Sequence, residues 1–387
     1  MNIQEHKSGH LFGWYSPNQK IYNVWFKDKL QANSYGEQDF NNTLQYSSPM
    51  FVLDAINNFF SDNLKKTHEA DTGEFTNSLT VNLVAYAQTK VVNNFIAHFT
   101  DYQFTVVEIG HCKKITISTN KSIHELINLT ALLFALFELR KTDIYVDTSL
   151  LLKYIHCLNR VNAPYFVRYL FKMYLLRNRN DFKEVQPILE DNGKYQLTFG
   201  DNYLARVRAT ESVINFDLPV VDIGCGEGKF LKFLAPKVPK YLAVDKDLEV
   251  LKSAEARIKR DELTNVVLFN DTEAFDREVN LLPKFTGILI EVIEHMPLSS
   301  AKELMVKTLS YPGLNQLVVT TPNRDFNQHY LITEGFRHDD HHYELNEPEF
   351  HELIKSLTPP EFQVKFINIG DQINGIATTM GAIWERR

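Results

Sequence analysis

Hydrophobic and polar positions follow two rhythms along this chain, and the change comes near residue 200. From residue 201 onward, short apolar runs at 218–222, 241–244, 266–269, 285–290 and 316–320 alternate with amphipathic stretches. Runs of that length, bounded by turn residues, read as buried strands, and their alternation with helical segments predicts βα units around a parallel sheet. Before residue 200 the rhythm is mixed. The first 45 residues look polar and irregular, with an aromatic cluster at Phe12, Trp14 and Tyr15. Helical spacing is expected over 47–64 and 77–99, the latter from Val84, Ala87, Val91 and Phe95. Residues 103–109 and 114–118 alternate as paired strands around a turn at 110–113. A helix over 122–138, a short strand over 143–146, a helix from Thr148 through Cys157 and another over 163–176 complete an α+β half.

No repeat and no Gly/Ser-rich linker separates the halves. The boundary is expected in the polar segment 184–200, where Asp191-Asn192-Gly193 reads as a turn, giving domains of 1–195 and 196–387. A chain of 387 residues with 44% hydrophobic and 23% charged residues is long enough for two cores and is not compositionally disordered. No segment reads as a signal peptide or a membrane span, so a cytoplasmic protein without membrane partners is expected. Cys112, Cys157 and Cys225 lack paired spacing, which argues against a disulfide framework or a zinc knuckle.

Charge is uneven. Residues 1–200 carry 20 Lys+Arg and 19 Asp+Glu (+1), and residues 201–387 carry 21 and 29 (−8), which together give the net −7. An acidic second half is not the footprint of a protein that grips long nucleic acid, but it suits a cation site and permits a nucleic-acid end held locally. The basic series Arg160, Arg168, Lys172, Arg177, Arg179 and Lys183 reads as a solvated face or linker, or else as a phosphate or partner patch.

The chemistry gathers in the second half. The run 218–222 leads directly into Ile223-Gly-Cys-Gly-Glu-Gly228 and then a helical pattern. Gly224, Gly226 and Gly228 let the backbone turn tightly and approach a ligand closely. The next run ends at Asp245, 21 residues after Gly224 (245 − 224), where an acid accepts hydrogen bonds from ribose hydroxyls. A structural βα turn with a surface Asp is the alternative. Farther on, Glu291-Val-Ile-Glu-His295 follows the run 285–290, so it sits at a strand end. In a helical turn Glu291, Glu294 and His295 share one face at i, i+3 and i+4, a half-shell for a divalent cation or a solvated, salt-bridged face.

The spacing Asp222-x-Gly-x-Gly-x-Gly228 resembles motif I of class I S-adenosylmethionine-dependent methyltransferases. The resemblance implies a Rossmann-like seven-stranded sheet, closed by an antiparallel hairpin from 362–369 and 377–384. It places Asp222 near the methionine part, the glycines beneath it, Asp245 on the ribose and Asp271 at the adenine.

Three further motifs, Glu291-Val-Ile-Glu-His295-Met-Pro, Thr321-Pro-Asn-Arg-Asp-Phe-Asn327 and Phe336-Arg-His-Asp-Asp-His-His-Tyr-Glu344, resemble in order the signatures of the RNA 3′-terminal 2′-O-methyltransferases. By that resemblance Glu291, Glu294, His295 and His341 bind the metal, with His295 and His341 also counted among the catalytic residues. Two Glu, two His and two ribose oxygens make a six-coordinate shell suited to Mn²⁺, with Mg²⁺ or another divalent ion as substitute. His338 is the candidate for proton removal or substrate contact, and His342 is a spectator. Arg324 and Arg337 hold the terminal phosphate or pair on the surface, while Thr321 and Asn323 lie beside the substrate or simply turn the chain. The family's Trp after aromatic-Glu is replaced by Leu345.

The implied function is metal-dependent methyl transfer from S-adenosylmethionine to the 2′-OH of an RNA 3′ end bearing free 2′,3′-hydroxyls, in RNA repair or end protection. The first half resembles the bacterial branch of that family through Tyr46-Ser-Ser-Pro-Met-Phe51 and the stretch from 144–147 to Asp181. In that branch the accessory domain docks to and activates a polynucleotide kinase-phosphatase-ligase. The competing readings are a methyltransferase of a small vicinal diol and an interaction protein carrying a degenerate transferase domain.

Overall fold

The computed structural model describes residues 1–6, 9–28, 49–71, 75–84, 90–139, 148–175, 179–330, 332 and 334–387. By its internal contacts the chain divides into two units, residues 1–191 and 192–387.

The first unit begins with β1 (Asn2–His6), β2 (Gly9–Ser16) and β3 (Ile21–Asp28), an antiparallel meander where an irregular segment was expected. The period is two: Leu11 and Gly13 are buried, while Phe12 and Trp14 point to the opposite face. The aromatic cluster is therefore divided between faces, with Phe12 packed on Trp25 of β3 at 5.7 Å. A second sheet has the order β4 (Asn77–Val84), β6 (Cys112–Thr119), β5 (Tyr102–Ile109).

The helix expected over 77–99 is thus half wrong. Thr80, Val81 and Val84 suit a pleated strand, and only Lys90–Ala97 is helical, burying Val92 and Phe95. Residues 85–89 lie outside the described residues. The β5–β6 hairpin forms with Ile109 opposite Cys112, which shortens the turn to Gly110-His111.

Helix Ile123–Leu139 is apolar on nearly all sides, and Leu129 and 131–137 are buried, so it forms the middle of this unit's core. No described helix is long and apolar enough to cross a membrane. Around it lie helices Pro49–Phe59 and Thr148–Arg160, followed by Tyr165–Leu175 and Arg179–Leu189. The strand expected over 143–146 lies outside the described residues. The basic series divides: Arg179 and Lys183 are exposed, as a solvated face requires, Arg160 is half-buried, and Arg177 lies outside the described residues. Arg168 and Lys172 are buried, and the Arg168 guanidinium donates to the carbonyls of Ala163 (2.8 Å) and Leu189 (2.9 Å) and to Asn159 (2.7 Å). Helix Arg179–Leu189 takes the start of the expected boundary segment. The turn follows at Asp191, Asn192 and Gly193, all at positive φ.

The second unit is built on one sheet. Its strands are β7 (Tyr195–Gln196), β8 (Val220–Ile223), β9 (Tyr241–Val244), β10 (Val266–Phe269), β11 (Phe285–Ile290), β12 (Leu314–Pro322), β13 (Phe362–Ile373) and β14 (Ile376–Arg386). The order is β10-β9-β8-β11-β12-β14-β13-β7. β8 to β12 are mutually parallel, whereas β14, β13 and β7 join antiparallel. Seven of these strands match the expected sheet. The eighth, β7, is two residues that cover the free edge of β13 through Tyr195 opposite Ile373.

Buried side chains fill both faces, which is why the parallel strands read as continuous apolar runs. Strand order reverses between β8 and β11, and the crevice beyond their carboxyl ends is where such sheets bind ligands. Gly224 and Glu291 directly follow strands of this set, and Thr321 and Pro322 are the last residues of β12, followed by Asn323.

Trp384 of β14 is fully buried, and its indole N–H donates to Thr358 at 2.8 Å. Trp384→Ala is expected to cost about 3–5 kcal/mol, seen as a lower urea midpoint with an unchanged m-value.

Candidate active site

The glycine loop leaves β8 at Gly224, whose φ is +78; a Cβ there would meet Val292 at 2.8 Å. Gly224 is therefore what lets the loop after β8 lie against the loop after β11. Gly228, at φ +69, would bring a Cβ within 3.2 Å of the Ala254 backbone. Asp245, at the end of β9, ties the loop down: its carboxylate accepts the Gly226 N–H at 2.8 Å and the Asp247 N–H at 3.0 Å. Asp222 is buried beside it and accepts a hydrogen bond from the Tyr241 hydroxyl at 2.7 Å. Burial pushes the Asp222 carboxyl up to about 7; the Tyr241 hydrogen bond opposes this and the Asp245 charge adds to it. The structure thus brings Asp222, the three glycines and Asp245 together. Asp271, expected at the adenine, is the N-cap of helix Thr272–Asn280, accepting the N–H groups of Glu273 (3.0 Å) and Ala274 (3.2 Å).

Glu291-Val-Ile-Glu-His295 is not the helical turn that its spacing suggests. Glu291 adopts φ +55 at the end of β11, and only Ile293–His295 forms a short 3-10 turn. Donor atoms of Glu294, His295 and His341 lie within 4.8 Å of one another. Glu291, expected as a fourth member, faces elsewhere: one oxygen accepts from the Thr320 hydroxyl at 3.0 Å and the other pairs with Arg206 at 3.3 Å.

Glu294 is fully buried. One of its oxygens accepts from Thr321 at 3.1 Å, and the other, Oε1, has no hydrogen-bond partner. Burial and the Glu291 charge raise its carboxyl well above the ordinary range. Each imidazole is held by a carboxylate at Nδ1: His295 by Asp340 at 3.0 Å and His341 by Glu344 at 2.7 Å. That leaves Nε2 of each ring for an ion. Buried oxygens are left unpaired only where something else satisfies them, so an orphaned carboxylate oxygen beside two imidazole nitrogens fits a divalent cation.

The residues expected to grip substrate are mostly turned inward. Each guanidinium nitrogen of Arg337 donates to a protein oxygen: Nε to Asn327 (2.6 Å), Nη1 to the Thr378 carbonyl (2.7 Å) and Nη2 to the Asn323 carbonyl (2.6 Å). Arg337 therefore pins this loop rather than offering itself to a phosphate. Arg324 pairs with Glu349 at 2.9 Å on the surface. Thr321 is buried and holds Glu294, and Asn323 is buried with its side chain accepting the Asp325 N–H at 3.0 Å. His338 is exposed, its ring 5.1 Å from that of His341. The His342 side chain is exposed, and the residue's backbone N–H donates to the Glu294 carbonyl at 2.8 Å. Leu345, where the family has Trp, is buried in the core.

Sequence reasoning missed the residues behind the donors. Glu344, three residues after His341, is buried and also accepts from Asn327 (2.5 Å) and the Arg337 N–H (2.8 Å). Burial pushes its carboxyl up, but the hydrogen bonds from His341, Asn327 and the Arg337 backbone outweigh that and hold it below the ordinary range. Its i+3 spacing from His341 was the available signal. Arg206 and Thr320 gave none.

A family model described as the Hen1 N-terminal domain matches residues 1–194, and a methyltransferase-domain model matches residues 220–309. The chain is 27% identical over 204 residues to the small RNA 2′-O-methyltransferase of Mus musculus, covering 49% of this chain and 50% of that protein. It is 32% identical over 80 residues to the enzyme of the same name from Caenorhabditis elegans, covering 20% and 18%. A stretch of 131 residues is 33% identical to the 23S rRNA (uracil(1939)-C(5))-methyltransferase RlmD of Aliivibrio salmonicida, covering 33% and 27%. The chain thus spans half or less of the length of these relatives. Among solved structures, a chain in a Pnkp1/Rnl/Hen1 RNA repair complex aligns with a TM-score of 0.81 at 23% identity, covering all of this chain and 94% of that one. This likeness establishes a shared fold.

The raised Asp222 carboxyl sets a pH dependence. Between its ordinary value of 3.8 and about 7 the unfolded chain releases this proton while the folded chain keeps it. The stability it contributes is therefore full below 3.8 and is lost as pH rises through about 7. Urea midpoints measured from pH 4.5 to 7.5 should fall less steeply in Asp222→Asn than in the parent; equal slopes would contradict the assignment.

Proposed function

We propose that this chain, which belongs to the Hen1 family, transfers the methyl group of S-adenosylmethionine to the 2′-oxygen of the 3′-terminal ribose of RNA. One observation carries the reading. A glycine loop tied to Asp245 follows β8 and Glu294 and His295 follow the adjacent parallel strand β11, and the segment after β12 brings His341 to the same cluster. Relatives named small RNA 2′-O-methyltransferases support the substrate class over the part of their length that the chain spans.

S-adenosylmethionine supplies an electrophilic methyl on its sulfonium. A divalent cation, when bound, supplies Lewis acidity that makes a ribose hydroxyl a competent nucleophile at neutral pH. Glu294 through Oε1, and His295 and His341 through Nε2, would hold that cation. The mixed carboxylate and imidazole set suits Mn²⁺, or Mg²⁺ and similar ions. Asp340 and Glu344 fix the Nδ1 protons and so aim both rings. Asp245 keeps lone pairs for ribose hydroxyls beyond the two N–H groups it already accepts. His338 takes the proton leaving the 2′-hydroxyl and returns it to water.

Residues 1–195 serve as the accessory unit and 196–387 as the methyltransferase unit. The likeness along the whole chain to a Pnkp1/Rnl/Hen1 repair complex chain supports a polynucleotide kinase-phosphatase-ligase as the partner of the former.

With labelled S-adenosylmethionine and Mn²⁺, RNA ending in 2′,3′-hydroxyls should accept methyl and RNA ending in 2′-deoxyribose should not. His341→Ala should lower transfer about 100-fold or more. Methylation of the deoxy end would exclude the 2′-oxygen as acceptor. Glu344→Gln, which removes the charge behind His341, should weaken Mn²⁺ binding about 10- to 100-fold, measured by calorimetry, with the fold retained by circular dichroism.

A further inference from the structure

Helix Asn202–Val213 leads into β8 and carries Arg206, a side chain that the chemistry above does not use. The Arg206 side chain is 19% exposed, and Nη1 lies 3.3 Å from a carboxylate oxygen of Glu291. Its Nε is buried without a hydrogen-bond partner. A guanidinium in that state is costly to hold, and pairing with Glu291 offsets the cost.

Glu291, for its part, is fixed by its backbone: its N–H donates to the carbonyl (3.1 Å) and the hydroxyl (3.2 Å) of Thr320, at φ +55. Only its side chain is left to move. Both carboxylate oxygens are engaged away from Glu294, His295 and His341, although Glu291 is near enough for its charge to act on Glu294. The charge of Arg206 also reaches Glu294, in the opposite sense. Two carboxylates this close repel, and an adjacent cation is what keeps both tolerable.

We propose that Arg206 is a positioning residue that latches Glu291, already expected among the metal ligands, off the cation cluster, so that a divalent cation gains this carboxylate only by displacing the guanidinium. The proposal rests on the cation site described under the proposed function. Arg206 and the metal ion then compete for one carboxylate. The guanidinium holds the acidic pair together without an ion, and the binding affinity is set below what the four side chains alone would give. Displacement needs only a side-chain rotation at Glu291, because its backbone is already anchored at the strand end.

The test is Mn²⁺ binding by the full-length chain, read from the electron paramagnetic resonance signal of the free ion and independent of methyl transfer. Arg206→Met should bind Mn²⁺ more tightly, on the order of 10-fold. Arg206→Lys, which keeps the charge, should stay close to the parent. In a Glu291→Gln background the gain from Arg206→Met should vanish, since the competitor then has nothing to hold. Circular dichroism checks the fold, and Arg206→Gln is read in the same way if the Met variant does not fold. Unchanged or weaker binding in a folded variant, with the parent binding Mn²⁺, overturns the latch alone. Absence of Mn²⁺ binding in the parent and every variant overturns the cation site and the latch with it, whereas binding confined to the Arg206 variants supports the latch.

Discussion

A carboxylate buried without a full set of partners is expensive, and Glu294 is one. Its side chain is closed off from water, one oxygen takes the Thr321 hydroxyl, and the other has no partner. In a low-dielectric interior such a group keeps a proton or meets a cation. Much of the neighbouring structure maintains that situation. The β11–β12 register sets Ile290 opposite Thr320, so the Thr320 and Thr321 hydroxyls reach Glu291 and Glu294 respectively. The segment 337–345 then returns to set His341 beside His295, their ring centroids 4.7 Å apart. Arg337 ties that return to the Asn323 and Thr378 carbonyls, while its backbone N–H holds Glu344.

The sheet supplies the location. Because strand order reverses between β8 and β11, the loops that follow them diverge to opposite faces and leave a crevice between. Gly224 permits their closest approach, against Val292. A cofactor loop and a cluster of cation donors are thereby placed side by side without any long insertion. Methyl transfer needs this proximity, since the attacking oxygen and the sulfonium carbon must be held in line.

Much of this was legible in the sequence, and the remainder was hidden for identifiable reasons. The apolar runs at 241–244 and 285–290 fall on the observed strands because strands buried on both faces leave a continuous signal, and 266–269 falls on the edge strand β10, where Val267 is exposed. The α+β half was harder. β1 to β3 alternate aromatic and polar residues on a half-exposed meander, and the helical spacing of Val84, Ala87, Val91 and Phe95 was extended back over 77–84, which pairs as a strand. Strand pairing is a tertiary fact that local spacing does not record. Within the site, Glu294, His295 and His341 were legible as a set. Chain spacing does not specify side-chain direction, so the departure of Glu291 toward Arg206, a residue 85 positions earlier (291 − 206), left no local trace. Arg337 carries the chemistry expected of a ligand contact, but the fold employs it as a loop pin, and Asp271 caps a helix.

The central claim is that Glu294, His295 and His341 hold a divalent cation. Anomalous diffraction from crystals of the full-length chain grown with Mn²⁺ tests it most directly. The account predicts one strong peak bonded to Oε1 of Glu294 and to Nε2 of both histidines. A fully occupied peak elsewhere, with Glu294 Oε1 left without a metal neighbour, would contradict it.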